Sequence, residues 1–181
     1  MKHNLFYAIS WVAVILLTSF AGTLKAQEFS AVCESGQTLY YRVTSNTEPY
    51  TVEVIRGEIK PSGNLEIPST VTYNGKAYSV TSIGMFSFEE CSGLTSINIP
   101  NSVTEIGLRA FAGCSALTSI SIPNSVTSIG KEAFEYCIGL TTINIPNSVT
   151  RIGNYAFYGC NSIPQEIVLD IEIINEAAFD W

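Results

Sequence analysis

Cysteine is the residue whose type and spacing could best support chemistry in this chain. Four cysteines follow one another at intervals of 23 residues: Cys91, Cys114, Cys137 and Cys160. Side chains at the same position of stacked strands lie about 5 Å apart, a spacing compatible with a disulfide or a soft metal. Metal sites usually combine Cys-x-x-Cys pairs or histidine partners, which this ladder lacks. We therefore expect four small buried residues that fill the same slot in successive repeats.

Other groups that could support catalysis or hold a cofactor are scarce. The only histidine, His3, lies in a segment that we expect to be removed, and Cys33 has no partner that the sequence assigns. Without histidine, neither a Ser-His-acid nor a Cys-His arrangement can form. The adjacent acids Glu89 and Glu90 are expected on a solvated outer arc, and no phosphate-loop, EF-hand or zinc pattern occurs. We expect no enzymatic activity, no metal and no cofactor.

Composition excludes two further classes of protein. The chain has 181 residues, of which 46% are hydrophobic and 14% charged, and its net charge is −7. Ordinary hydrophobicity excludes a disordered chain. An acidic chain has no basic surface that could displace counterions from phosphates, so nucleic acid is not an expected partner.

The first segment, Met1–Ala26, has the pattern of a secretory signal peptide. Lys2 and His3 precede the apolar stretch Leu5–Phe20, and Ala26 is a small residue before the expected cleavage. An uncleaved membrane anchor is the alternative, but the stretch is shorter than the roughly 20 apolar residues of a membrane span. We expect a secreted or cell-surface protein with no stable membrane span after cleavage.

The elements that position the cysteines repeat with the same period. Phenylalanines recur in one register, as do Ile-Gly pairs and Ile-Pro pairs; the phenylalanines are Phe88, Phe111, Phe134 and Phe157. A period of 20–50 residues is typical of a solenoid. Within one repeat, Ile97 and Ile99 alternate as in a half-buried strand, and Pro100 ends that strand. Gly107 suits a turn with positive φ, and a return arc leads to the next cysteine.

Three repeats carry a resemblance to a known family: CSGLTSINIPNSVTEIGLRAFAG (Cys91–Gly113), CSALTSISIPNSVTSIGKEAFEY (Cys114–Tyr136) and CIGLTTINIPNSVTRIGNYAFYG (Cys137–Gly159). They resemble the leucine-rich repeats of the BspA-like bacterial surface antigens. The resemblance implies an α/β solenoid with a parallel β-sheet on its concave side and return arcs of turns, 3₁₀ turns or short helices. It also implies an exported protein of a host-associated bacterium, in a family with members that bind extracellular-matrix proteins or other cells.

The irregular ends of the repeat region suggest four segments: signal peptide 1–26, N-terminal β cap 27–63, repeats 64–160 and a degenerate last repeat 161–181. Leu39–Thr44 and Tyr50–Ile55 are strand-like and would form an antiparallel cap. The first coil carries an insertion at 69–79, where Asn74-Gly75 predicts a hairpin that projects from the coil. The last repeat is either a capping coil or a truncated one, and a poorly capped edge could support self-association.

Two groups of side chains are candidate binding residues. The first follows the outward positions of the repeated strand in two uncharged polar rows: Ser96, Asn98, Ser119, Ser121, Thr142 and Asn144. The second contains tyrosines of the cap and hairpin, a residue type favoured at interfaces: Tyr40, Tyr41, Tyr50, Tyr73 and Tyr78. The alternatives are that the rows merely suit a crowded sheet and that the tyrosines form the core of the cap.

These features together favour an exported binding module. The expected partner is a protein or cell-surface ligand, such as host extracellular matrix, bound in an adhesin-like manner. The alternative is a structural protein that stacks through the ends of its solenoid.

Overall fold

The computed structural model of the chain describes residues 27–164, 167 and 175–178. The expected signal peptide and most of the last repeat, 161–181, lie outside the described residues. Within them the chain forms twelve strands. In chain order these are β1 (Glu28–Val32), β2 (Thr38–Ser45), β3 (Thr51–Ile55), β4 (Gly63–Glu66), β5 (Thr70–Tyr73), β6 (Lys76–Ile83), β7 (Leu94–Asn98), β8 (Glu105–Ile106), β9 (Ser119–Ser121), β10 (Ser128–Ile129), β11 (Thr142–Asn144) and β12 (Arg151–Ile152).

The repeats contribute strands to two parallel sheets. A four-stranded sheet has the order β11-β9-β7-β4, and every neighbouring pair in it is parallel. The predicted parallel sheet is therefore present. A second sheet, which sequence analysis did not predict, runs β1-β2-β3-β6-β8-β10-β12 and continues through parallel two-residue strands. The core lies between the two sheets and the return arcs.

The strands that precede the repeats belong to this second sheet. β1 pairs antiparallel with β2, and β2 with β3, whereas β3 runs parallel to β6. The two strand-like runs of the sequence correspond to β2 and β3, and β1 is an additional strand. Since β3 pairs directly with the first coil, these N-terminal strands and the repeats share one continuous sheet.

The Asn-Gly hairpin is present, but it does not project. Asn74 and Gly75 have φ angles of 49° and 74°, as a type I′ turn requires, and β5 pairs antiparallel with β6. The far half of β6 pairs with β3 and β8, so the hairpin is a part of the second sheet. Its apolar face is buried because it packs against the N-terminal strands: the rings of Phe29 and Tyr73 stack with centroids 4.3 Å apart.

The return arcs are hydrogen-bonded turns. The first arc, residues 85–90, donates to the next arc from the amides of Phe86, Phe88 and Glu90, at 2.9, 2.8 and 2.7 Å. The arcs that begin at Arg109 and Glu132 repeat this pattern. In the described part of the chain the only 3₁₀ turn is Glu176–Ala178. The arcs thus form a third hydrogen-bonded side of the solenoid.

The expected role of Gly107 is wrong. The positive φ angles of the arcs fall at other residues, such as Phe86 and Arg109, at 60° and 50°. Gly107 is required by close approach, because a Cβ there would lie 2.9 Å from backbone atoms of Gly84 and Met85. Neighbouring coils come too close at this position for any side chain.

Candidate binding surface

The two polar rows lie side by side on the four-stranded sheet. Ser96 pairs with Ser119, and Ser119 with Thr142, across β7, β9 and β11. In the second row Ser121 pairs with Asn144. The isoleucines between the rows, such as Ile120 at 4% exposure, point into the core. The period-2 alternation therefore places the predicted side chains together on one outward face.

The rows extend one strand further than the sequence analysis predicted. Asn64 of β4 pairs with Ser96, and its Oδ1 accepts a hydrogen bond of 2.6 Å from the Ser96 hydroxyl. Glu66 pairs with Asn98 and is exposed, so the face is not uncharged. In the sequence, Leu65-Glu66-Ile67-Pro68 matches the repeated strand Ile97-Asn98-Ile99-Pro100, and this alignment could have identified Asn64 and Glu66 as outward residues. We define the polar rows as these eight residues: Asn64, Ser96, Ser119 and Thr142 in one, and Glu66, Asn98, Ser121 and Asn144 in the other.

This surface can make hydrogen bonds but has no groups arranged for covalent chemistry. Hydroxyl and amide side chains both donate and accept, and the sheet backbone fixes their spacing. Such a surface can recognise the polar groups of a partner without a large desolvation cost for buried charge.

The tyrosines do not form a common surface. Tyr41, Tyr73 and Tyr78 are 0%, 6% and 4% exposed, so the interface role expected for these three is wrong. They alternate inward along their strands, and Tyr41 stacks on Phe29 at a centroid distance of 5.4 Å. Tyr40 and Tyr50 are half-buried and remain accessible in part.

The cysteine ladder is buried and unpaired. All five cysteines are free, and those of the ladder are at most 2% exposed. Each later thiol donates to the carbonyl of a phenylalanine in the preceding coil: Cys114 to Phe88 at 3.2 Å and Cys137 to Phe111 at 3.2 Å. The ladder cysteines thus fill the same buried slot in successive coils, and their thiols also link neighbouring coils. Cys33 is buried too and donates to the Gln37 carbonyl at 3.1 Å.

Three thiols of the ladder have a raised pKa. Burial raises the pKa of Cys91 to about 11 and, together with the nearby Cys91, that of Cys114 to about 12. For Cys137, hydrogen bonding with Cys160 and burial raise the pKa well above its usual value. Since the thiolate is the reactive form, reactivity falls with each of these shifts.

A thiol titration tests this arrangement. At pH 8 we expect the folded protein to react with an aromatic disulfide reagent about 100-fold more slowly than the unfolded protein. Unfolding without reductant should then expose all five thiols, and Cys114→Ala should lower the count by one. A lower count in the unmodified chain would show that a disulfide exists.

An ion-pair cluster joins the return arcs of three coils. The Arg109 guanidinium contacts Glu89 at 2.8 Å, Glu132 at 2.6 Å and also Glu135. Glu89 additionally accepts a 2.7 Å bond from Arg56. The expectation of a solvated Glu89 is therefore wrong, because its side chain is 16% exposed and paired twice. Hydrogen bonds from Arg109 and Lys131 lower the pKa of Glu132.

The cluster should make stability depend on pH. A lowered pKa in the folded protein stabilises it above the unfolded pKa of about 4.3, and this contribution is lost as pH falls through the lowered value. Arg109→Met should therefore cost about 1–2 kcal/mol at pH 7, and the difference from the unmodified protein should shrink below pH 4. Urea unfolding of Arg109→Met and of the unmodified protein at several pH values from below 4 to 7 measures this difference in the free energy of unfolding. Lys60→Met, which removes an exposed pair with Glu90, is the control and should not change the free energy of unfolding measurably. If the loss of stability in Arg109→Met did not vary with pH, the pH dependence could not be assigned to this cluster.

Metal-binding clusters and membrane-spanning helices are both absent from the described residues. No group of three or more His, Cys, Asp or Glu side chains there could hold a metal ion. No helix in the described part of the chain has the length and apolarity needed to cross a membrane.

Repeating coils, the parallel sheet of Leu-x-x-Ile-x-Ile strands and its polar outward rows define a leucine-rich-repeat protein. The family model described as a BspA type leucine-rich repeat region matches residues 64–181 in six copies. The chain belongs to this family, as the repeat motifs predicted.

Solved bacterial proteins share the fold. A leucine-rich repeat protein of Bacteroides capillosus is 32% identical with a TM-score of 0.61, over 70% of this chain and 91% of that protein. A leucine-rich cell surface protein of Faecalibacterium prausnitzii is 32% identical with a TM-score of 0.60, over 70% and 35%. A leucine-rich repeat protein of T. pallidum is 28% identical with a TM-score of 0.59, over 68% and 55%. The chain thus spans about a third of the second protein and about half of the third. No protein of curated function is similar enough to count as a relative.

Proposed function

We propose that the protein is an exported binding module that recognises a host extracellular-matrix or cell-surface protein in an adhesin-like manner. The polar rows are the observation that carries the proposal. They form a regularly spaced set of hydrogen-bonding groups on a rigid sheet, exposed except for the half-buried Ser96, with Glu66 as their one charge. The pattern of Met1–Ala26 supports export, and the similarity to a leucine-rich cell surface protein supports a place at the cell surface.

The proposed mechanism is equilibrium binding without covalent chemistry. A partner strand or loop would lie across β4, β7, β9 and β11 and exchange hydrogen bonds with both rows. Because the isoleucines between the rows are fixed in the core, the rows need little ordering on binding, which lowers its entropic cost.

Binding to solubilised host extracellular matrix, with the full chain immobilised, tests the proposal. Ser96→Arg and Ser119→Arg place a large cation in the centre of the rows, and each should weaken retention about tenfold or more. Thr127→Arg is the matched control, since Thr127 is exposed in the same coil as Ser119 but precedes β10 of the other sheet. If all three variants were retained as well as the unmodified protein, the binding surface would lie elsewhere. Concentration-dependent sedimentation that Ser119→Arg leaves unchanged would favour stacking through the solenoid ends.

A further inference from the structure

A cavity of about 460 Å³ opens between the N-terminal strands and the first coil. One wall consists of residues 31–34, at the end of β1 and in the turn after it, and another of residues 66–72, which include the first three residues of β5. Tyr41, Asn98 and Pro100 complete the lining. We call this cavity the strand slot.

One wall of the strand slot has a free strand edge. Among the described residues β1 pairs only with β2. The amides of Cys33 and Val43 donate across this pair to Gln37 and Gln27, at 2.9 and 2.8 Å. Because hydrogen-bonded positions alternate along an antiparallel pair, the odd-numbered residues of β1 face β2. The backbone groups of the even-numbered residues of β1 face away from β2, and these residues include Val32, which lines the slot.

The other wall has a free edge of the same kind. Within the described chain β5 pairs only with β6, and the Val80 amide donates to the Ser69 carbonyl at 2.9 Å. By the same alternation the backbone groups of Thr70 and Thr72 face away from β6. The slot therefore lies beside two strand edges with unused donors and acceptors, the arrangement to which an extended peptide can add.

A buried hydroxyl at the slot lacks a partner. Tyr41 lines the cavity and is 0% exposed, and no group among the described residues hydrogen-bonds its hydroxyl. Burial, with a smaller contribution from Cys33, raises the pKa of Tyr41 above its usual value, so the hydroxyl stays neutral and can donate or accept. An orphaned buried polar group is costly, and a ligand would recover that cost only where the side chains that cover the hydroxyl move aside.

The charge of the lining selects the ligand. Glu34 and Glu66 line the slot and both are exposed, whereas no Lys, Arg or His of the described residues does. A segment that carries a cationic side chain would therefore be attracted, and an acidic one repelled.

We propose that the strand slot binds an extended peptide segment of a partner protein that carries a lysine or arginine side chain. The peptide backbone pairs with the free edge of β1 at Val32, and its cation lies between Glu34 and Glu66. This site is separate from the centre of the polar rows and does not depend on the function proposed for them, although Glu66 and Asn98 border both.

Calorimetric titration of the full chain with two blocked pentapeptides tests this proposal. The first is Thr-Lys-Thr-Lys-Thr and the second replaces both lysines with norleucine, which keeps the stem and removes the charge. The lysine peptide should bind, and the norleucine peptide about tenfold more weakly. Glu34→Gln should weaken binding of the lysine peptide several-fold, whereas Ser119→Arg, on the polar rows, should leave it unchanged. Equal binding of the two peptides, or none, would overturn the proposal.

The edge pairing needs its own readout. Methylating the central backbone nitrogens of the lysine peptide should abolish binding without any change in the protein. Val32→Pro should weaken binding of the lysine peptide about tenfold, because the lost amide belongs to a residue of the slot lining and faces away from β2, outside the β1–β2 ladder. Full binding of the methylated peptide would contradict pairing at the edge. If sedimentation shows a dimer that the lysine peptide dissociates, the occupant is a second copy of the chain and the proposal is wrong.

Discussion

Phe111→Ala lowers the free energy of unfolding by about 3–5 kcal/mol, the usual cost of deleting a buried aromatic ring. Phe111 is 0% exposed and lies in the middle of a column of rings. It stacks on Phe88 and on Phe134 with centroids 5.2 Å apart in both pairs and interplanar angles of 11° and 7°. Both contacts are lost together, and the cavity that remains lies between two neighbouring coils that the sheets hold in place.

Urea unfolding followed by circular dichroism measures this effect. The control is Ile138→Ala, a large-to-small change two repeats further along the chain at a side chain that is 54% exposed, and its effect should stay within about 0.5 kcal/mol. If the two variants lost similar stability, the aromatic column would not be the main contact between coils. The comparison thus separates packing within the column from the general effect of removing an apolar side chain.

Sequence patterning predicts those parts of the fold in which one residue class has one physical role. The phenylalanine period implies a column, and alternation in Ser96-Ile97-Asn98 implies an outward face, because only one side of a strand can face the core. Both expectations agree with the structure. The hairpin at Asn74-Gly75 was predictable for the same reason, since few dipeptides adopt positive φ at two positions.

Other parts of the fold could not be predicted, because they depend on how strands and coils pair in three dimensions or lie where the repeat pattern is short or irregular. The second sheet uses strands of two residues, such as Glu105–Ile106, which are too short to show alternation. Residue type left two alternatives open for the tyrosines, an interface and the core of the cap, and only the strand register shows that Tyr41 points inward. Glu66 of the candidate surface lies in a first coil that departs from the repeat consensus, so comparison among regular repeats did not reveal it.

Glycine shows this limit most clearly, because two different structural demands select it at different positions of the repeat. Gly113 has a φ of +73°, and a Cβ there would have its nearest neighbour at 3.5 Å, an ordinary contact. Gly130 has no positive φ, but a Cβ there would lie 2.6 Å from the carbonyl carbon of Gly107 and 2.7 Å from the Leu108 amide nitrogen. These are backbone atoms of the preceding coil, which cannot move aside as a flexible side chain would.

Gly130→Ala should therefore cost about 3 kcal/mol or more in the free energy of unfolding, at the upper end of overpacking effects. Relief of the contact would require two coils to separate, which would strain the 2.8 Å bond from the Gly130 amide to the Ile106 carbonyl. Gly113→Ala, the matched control, should cost only the backbone strain of a left-handed residue, about 1–2 kcal/mol. Urea unfolding of both variants under the same conditions gives the comparison. A larger loss for Gly113→Ala would mean that turn geometry, and not the close approach of stacked backbones, selects glycine at position 130.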